Sequence, residues 1–111
     1  MKLTNEFQSI RDWAKEKEIY KKGDVKTQFV KLSEEVGELA QAILQEDEKE
    51  IVDAIGDIVI VLTNLAELAP IYKGFSTIEK MTIEDCINSA YNVIAERTGK
   101  IKNGTFVKDI K

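Results

Sequence analysis

A chain of 111 residues, 43% of them apolar, is expected to form one domain around a modest core, and so small a core is commonly completed by association. Its 20 acidic and 16 basic residues leave a net charge of −4 with no long basic run, which argues against nucleic acid as a partner. With one cysteine, Cys86, and no histidine, a single chain has no disulfide framework, thiolate zinc site or histidine general base; carboxylates, amides, hydroxyls and cations must carry any chemistry.

Four helical segments are expected, near residues 4–20, 26–45, 48–69 and 82–98, with turn signals at Gly23, at 46–49, at Pro70 through Thr82 and from Gly99 onward. The start, "MKLTNEFQSIRDWAKEK", lacks the apolar run of a secretion signal, and the longest apolar run, "IVIVL" at 58–62, is far too short to span a bilayer. A cytoplasmic chain with no membrane partner is the expectation. Trp13 lies near Phe7 and Ile10 on the first segment. Such an aromatic packs in a core or a dimer interface, the commoner outcome, or stacks on a nucleobase.

In the second segment Phe29, Leu32, Val36, Leu39 or Ala40, and Ile43 recur at helical spacing and form the expected inward stripe. Glu34 and Glu38 fall nearly opposite that stripe, Glu35 towards its flank, and Lys31 beside Glu38. Taken alone this is a solvated face with an ion pair. The third segment repeats the stripe as Ile51, Ile55, Val59, Leu62 and Ala66, and this spacing favours helix over strand for "IVIVL". Its acids Glu50, Asp53 and Asp57 share an arc of about 60° at the helical step of 100° per residue. One turn further that arc continues into Ile60 and Val61 and then Asn64 and Leu68, so the acids run into a surface that becomes apolar towards the helix C-terminus, suited to a second subunit. Carboxylates there bear a desolvation cost and repel one another, and a divalent cation is the natural compensation. Mg²⁺, or Mn²⁺ in its place, prefers oxygen ligands and shares its site readily with phosphates.

The fourth segment opens on Thr82 with Asp85 three residues later, a weak variant of the capping box, and carries Ile83, Ile87, Ala90 and Ile94 inward. Beyond Gly99 the tail "KIKNGTFVKDI" has an Asn103-Gly104 turn signal, read as a small hairpin or an extended arm over 99–111. The whole is expected to be an all-α bundle of about four helices, completed as a homodimer or homotetramer.

"EEVGE", Glu34-Glu35-x-x-Glu38, followed by acids just before an apolar helical run, resembles the EExxE and ExxD pattern of the MazG-like all-α nucleoside triphosphate pyrophosphohydrolases. The resemblance extends from the Trp13 helix through "AYNVIAERTGK". Its second half reads either as Glu50-x-x-Asp53 or, with the aspartate immediately before the apolar run, as Asp57 with Ala54 where the family has glutamate. Asp53 then stands as the substitute carboxylate. Asn92 and Arg97 match the family's asparagine and downstream cation, whereas a lysine usual two residues after the asparagine is Ile94 here, which turns attention to Lys100 or Lys102.

The resemblance implies Mg²⁺-dependent conversion of a nucleoside triphosphate to the monophosphate and pyrophosphate. Glu35, Glu38, Asp53, Asp57 and Glu50 are then the candidate metal ligands, with Glu35 or Glu34 orienting or deprotonating the attacking water. Lys31, Asn92, Arg97, Lys100 and Trp13 are the candidate substrate contacts, Lys31 having an ion pair with Glu35 as its alternative. Two other classes fit the same residues: a metal- or nucleotide-binding regulator without turnover, and a structural helical interaction protein with solvated acids.

Overall fold

Each helix of the chain begins or ends on a local signal, and these signals set the architecture in the computed structural model, which describes residues 5–69 and 81–110. Helix α1 (Glu6–Glu16) stops where Glu18 takes a left-handed backbone, φ 61°, and the short α2 (Ile19–Lys22) follows. The expected first helix is therefore two, because a left-handed residue cannot continue a right-handed helix. Asp24 caps α3 (Val25–Leu44) by accepting from the Thr27 N–H at 2.8 Å, and Asp47 caps α4 (Glu48–Leu68) by accepting from the Glu50 N–H at 3.2 Å. The link between them is only residues 45–47, with Glu46 left-handed at φ 54°, so α3 and α4 return on one another as an antiparallel hairpin. "IVIVL" is helical throughout.

Helix α5 (Ile83–Ile94) starts on a complete capping box: the Thr82 hydroxyl accepts from the Asp85 N–H, and the Asp85 carboxylate from the Thr82 N–H. The tail forms an antiparallel hairpin, β1 (Gly99–Lys102) with β2 (Thr105–Lys108), pairing Ile101 with Phe106. Asn103 and Gly104, at φ 51° and 80°, make the tight turn that needs two positive angles. At Gly99 a Cβ would lie 2.2 Å from the Val107 carbonyl oxygen and 2.7 Å from the Phe106 ring, so the hairpin closes there only over glycine.

The main packing is α3 on α4, with α1, α2 and α5 against α4. The α3–α4 hairpin buries Glu35 and Ala42 of α3 and Ala54 and Val61 of α4, each pair one heptad apart, while Ala14 and Ala66 are buried on α1 and α4. Small side chains let helices approach closely. The inward stripe expected on α3 is not the one that packs: Phe29, Val36 and Ile43 are exposed, as are Ile55 and Val59 of α4, whereas Leu32, Leu39, Ile51 and Leu62 are half-buried. Among the described residues nothing stands within 4 Å of where a Cβ on Gly56 would lie, so it serves no close approach between the described helices. The radius of gyration, 16.5 Å, exceeds the value of about 13 Å for a compact chain of this length. Among the described residues no helix is long and apolar enough to cross a membrane.

Candidate active site

Of the three glutamates in "EEVGE", the one inside the protein is Glu35, only 4% exposed in the α3–α4 seam. Its Oε1 accepts from the Lys31 ammonium at 3.1 Å, and its Oε2 is buried with no hydrogen-bond partner. The helix turn between residues 31 and 35 makes this pair, and it raises the Lys31 pKa, chiefly through the hydrogen bond to Glu35, with the charges of Glu35, Glu34 and Glu38 adding.

Glu38 is exposed, yet its carboxyl is held above its ordinary range. The charge of Glu35 is the first cause, a proton-sharing contact with Glu35 the second, and Asp57 contributes from across the seam while Lys31 opposes. Two carboxyls hydrogen-bond only with a proton between them; with both ionised, Glu35 Oε2 has no donor. Glu35, Glu38, Asp57 and Lys31 thus form one electrostatic group spanning α3 and α4. Glu34, Glu50 and Asp53 are exposed, and Glu50 meets the Asp47 cap only through its backbone N–H. Ala54, standing where the resemblance has glutamate, is buried and supplies no carboxylate.

Among the described residues no three acidic or thiol side chains already converge on one cation position. The donor set nevertheless suits a hard divalent ion. A buried carboxylate oxygen without a donor, next to a carboxyl raised by like charges and an aspartate on the facing helix, is an oxygen-only arrangement short of positive charge.

Among the described residues no hydrogen bond or ion pair joins the other candidates to these acids. Asn92, Arg97 and Lys100 are exposed and make no side-chain hydrogen bond or ion pair among the described residues, and Arg97 lines a cleft between the end of α5 and the hairpin with Val93, Thr98 and Lys108. Trp13 is 48% exposed and, with Ser9, Ile10 and Ile60, lines an open groove of about 330 Å³ between α1 and α4, near the small end for a ligand pocket. It is thus no core residue of the single chain.

A second polar cluster escaped the sequence reading. Arg11, 8% exposed, holds Glu84 through two hydrogen bonds of 2.6 Å, donates from Nε to Gln8 at 3.0 Å, and stands 3.8 Å from Glu67 of α4, an ion pair longer than a hydrogen bond. The pairing raises the Arg11 pKa and lowers that of Glu84. Nearby, the Tyr20 hydroxyl donates to the buried Asn64 amide oxygen at 2.6 Å, and burial, aided by the Glu67 charge and opposed by Arg11, pushes its pKa up to about 12. One signal was present: Arg11 falls on the α1 face of Phe7 and Ala14, at steps of four and three.

Compared with known families, residues 24–101 match the MazG nucleotide pyrophosphohydrolase domain, from the cap of α3 through most of β1. No curated protein and no solved structure matches the chain.

Proposed function

The chain belongs to the MazG nucleotide pyrophosphohydrolase family, and we propose that it converts a nucleoside triphosphate to the monophosphate and pyrophosphate with Mg²⁺, which Mn²⁺ can replace. The observation that carries this reading is the buried, unpartnered Oε2 of Glu35 beside Glu38, whose carboxyl the Glu35 charge holds above its ordinary range. An acceptor left in that state is costly unless a cation arrives.

Glu35 and Glu38 of α3 and Asp57 of α4 are the proposed ligands, with Asp53 and Glu50, one and two turns towards the α4 N-terminus, as outer acids. The bound ion would polarise phosphoryl oxygens and lower the pKa of an attacking water. Glu34, exposed next to Glu35, or Glu35 itself would orient that water or accept its proton. Lys31 is ion-paired with Glu35, and with a cation held by that carboxylate its ammonium would be available to a phosphate oxygen.

Asn92, Arg97, Lys100 and Trp13 are the proposed contacts to phosphates and base. Among the described residues none of them is hydrogen-bonded or ion-paired to the acids, and the reading includes a second copy packed on the exposed apolar residues Phe29, Val36, Ile43 and Ile55, as a homodimer or homotetramer of single-domain, cytoplasmic chains. The test is pyrophosphate release from a panel of ribo- and deoxynucleoside triphosphates with Mg²⁺. Turnover by the wild type, lost in Glu38→Gln and Asp57→Asn with helicity intact, supports the proposal. Absence of turnover on every triphosphate, with tight metal–nucleotide binding in calorimetry, would replace it by a regulator that binds without catalysis.

A further inference from the structure

The Arg11–Glu84 pair joins residues 73 apart in sequence: Nη1 donates to Oε1 and Nη2 to Oε2, both at 2.6 Å. A planar guanidinium bound in this way fixes both the distance and the plane of the carboxylate, which a lysine ammonium does not. Arg11 is itself held from the other side by Gln8 and Glu67, so three helices, α1, α4 and α5, meet on one buried side chain.

What it holds is the beginning of α5. Residues 81–87 are half-buried, every residue from Asn88 to Ile94 is exposed, and no residue of α5 is fully buried. The helix is therefore fixed at its first turn and projects from there. Asn92 stands eight residues beyond Glu84, about 12 Å along the axis at the helical rise. A tilt of roughly 10° at Glu84 would carry Asn92 about 2 Å sideways, a displacement large enough to cost a reacting arrangement on the order of a hundredfold.

We propose that Arg11 is a positioning residue: through Glu84 it aims α5, and with it Asn92 and Arg97, at the place the substrate phosphates occupy, while touching no substrate itself. Arg11 lies outside the residues that match the family domain, 24–101. The inference rests on the hydrolase reading for what α5 is aimed at, whereas the aiming itself is a property of this chain.

Arg11→Lys keeps a charge without the fork, Glu84→Gln keeps the shape with one prong, and the double variant closes a cycle. Each is followed by circular dichroism, amide hydrogen exchange, Mn²⁺ binding without nucleotide, and KM against kcat. Exchange across 88–94 rises while α3 and α4 stay as protected as in the wild type, Mn²⁺ affinity is unchanged, KM rises about tenfold or more, and the double variant is no worse than either single one. Unchanged exchange in α5, or loosening of α3 and α4 together with lost Mn²⁺ affinity, would overturn the proposal by making the pair either idle or generally structural. A wild type that turns over no triphosphate would sink the hydrolase reading alone, and the exchange pattern would still decide whether Arg11 aims α5.

Discussion

Replacing Glu35 by glutamine separates a metal-binding carboxylate from a structural one, because the two roles predict stability changes of opposite sign. In the metal-free chain Glu35 is 4% exposed, with one oxygen 3.1 Å from Lys31 and the other without a donor, close to Glu38. A buried acceptor left unmade costs about 1–3 kcal/mol. The Lys31 pair, whose ammonium is half exposed, returns roughly 0–1 kcal/mol. Glutamine removes the charge, keeps an oxygen for Lys31 and offers an N–H to Glu38, so the variant should gain about 1 kcal/mol without metal, or about 3–5 °C in Tm. In Mg²⁺ the order reverses. At a hundred times its Kd the ion adds about 2.7 kcal/mol to the wild type and little to the variant. Paired thermal melts at one protein concentration, in chelator and in Mg²⁺, should therefore cross. A variant that melts lower in chelator, or an equal rise with Mg²⁺ in both proteins, would show that Glu35 is a structural partner of Lys31 and refute the reasoning.

The Glu38 carboxyl is raised in the fold above its ordinary 4.5, so metal-free stability should fall as pH rises from about 4.5 through the folded value, and Mg²⁺ affinity should climb over the same window; melts and calorimetry across the acid range would show both. Glu84 is lowered, so its contribution is complete above about 4.5 and lost as pH falls through its folded value, an acid limb that Glu84→Gln should remove. Tyr20→Phe leaves the buried Asn64 amide oxygen without its donor and should cost about 1–3 kcal/mol in denaturant unfolding at an unchanged slope. It should also remove from the ultraviolet titration the component that ionises at about 12. Val36→Lys with Ile55→Lys, both at exposed apolar positions, should yield a helical monomer in sedimentation velocity with turnover abolished; persistence of the wild-type mass would remove this face from the assembly.

The helices were legible because their ends carry local signals: Gly23 and residues 46–49 break the chain next to the Asp24 and Asp47 caps that the structure shows, Thr82 is a cap, and Asn103-Gly104 is a turn that needs positive φ at both positions. The side of α3 that turns inward was not. Periodicity weighs bulky apolar groups, which selects Phe29, Val36 and Ile43, whereas the seam with α4 admits Glu35 and Ala42, about 100° round the helix from Val36 and Ile43. Alanines win a seam by letting backbones approach, a gain that a count of hydrophobic residues does not register. A glutamate in that seam is legible only once its neighbours are placed, since burial is costly for it alone and useful next to Glu38 and Asp57 when a cation binds. Arg11 was hidden for the same reason: a charge on an apolar face looks like a break in the pattern until Glu84, 73 residues away, is seen to face it. The two omissions share a physical consequence. α3 spends its interior on a carboxylate and small side chains and leaves its bulky ones outside, so hydrophobic burial within one chain is a weak source of stability here. Under the proposed reading, metal at Glu35 and a second copy on Phe29, Val36 and Ile43 supply what the seam lacks, and stability should rise with both ion and protein concentration.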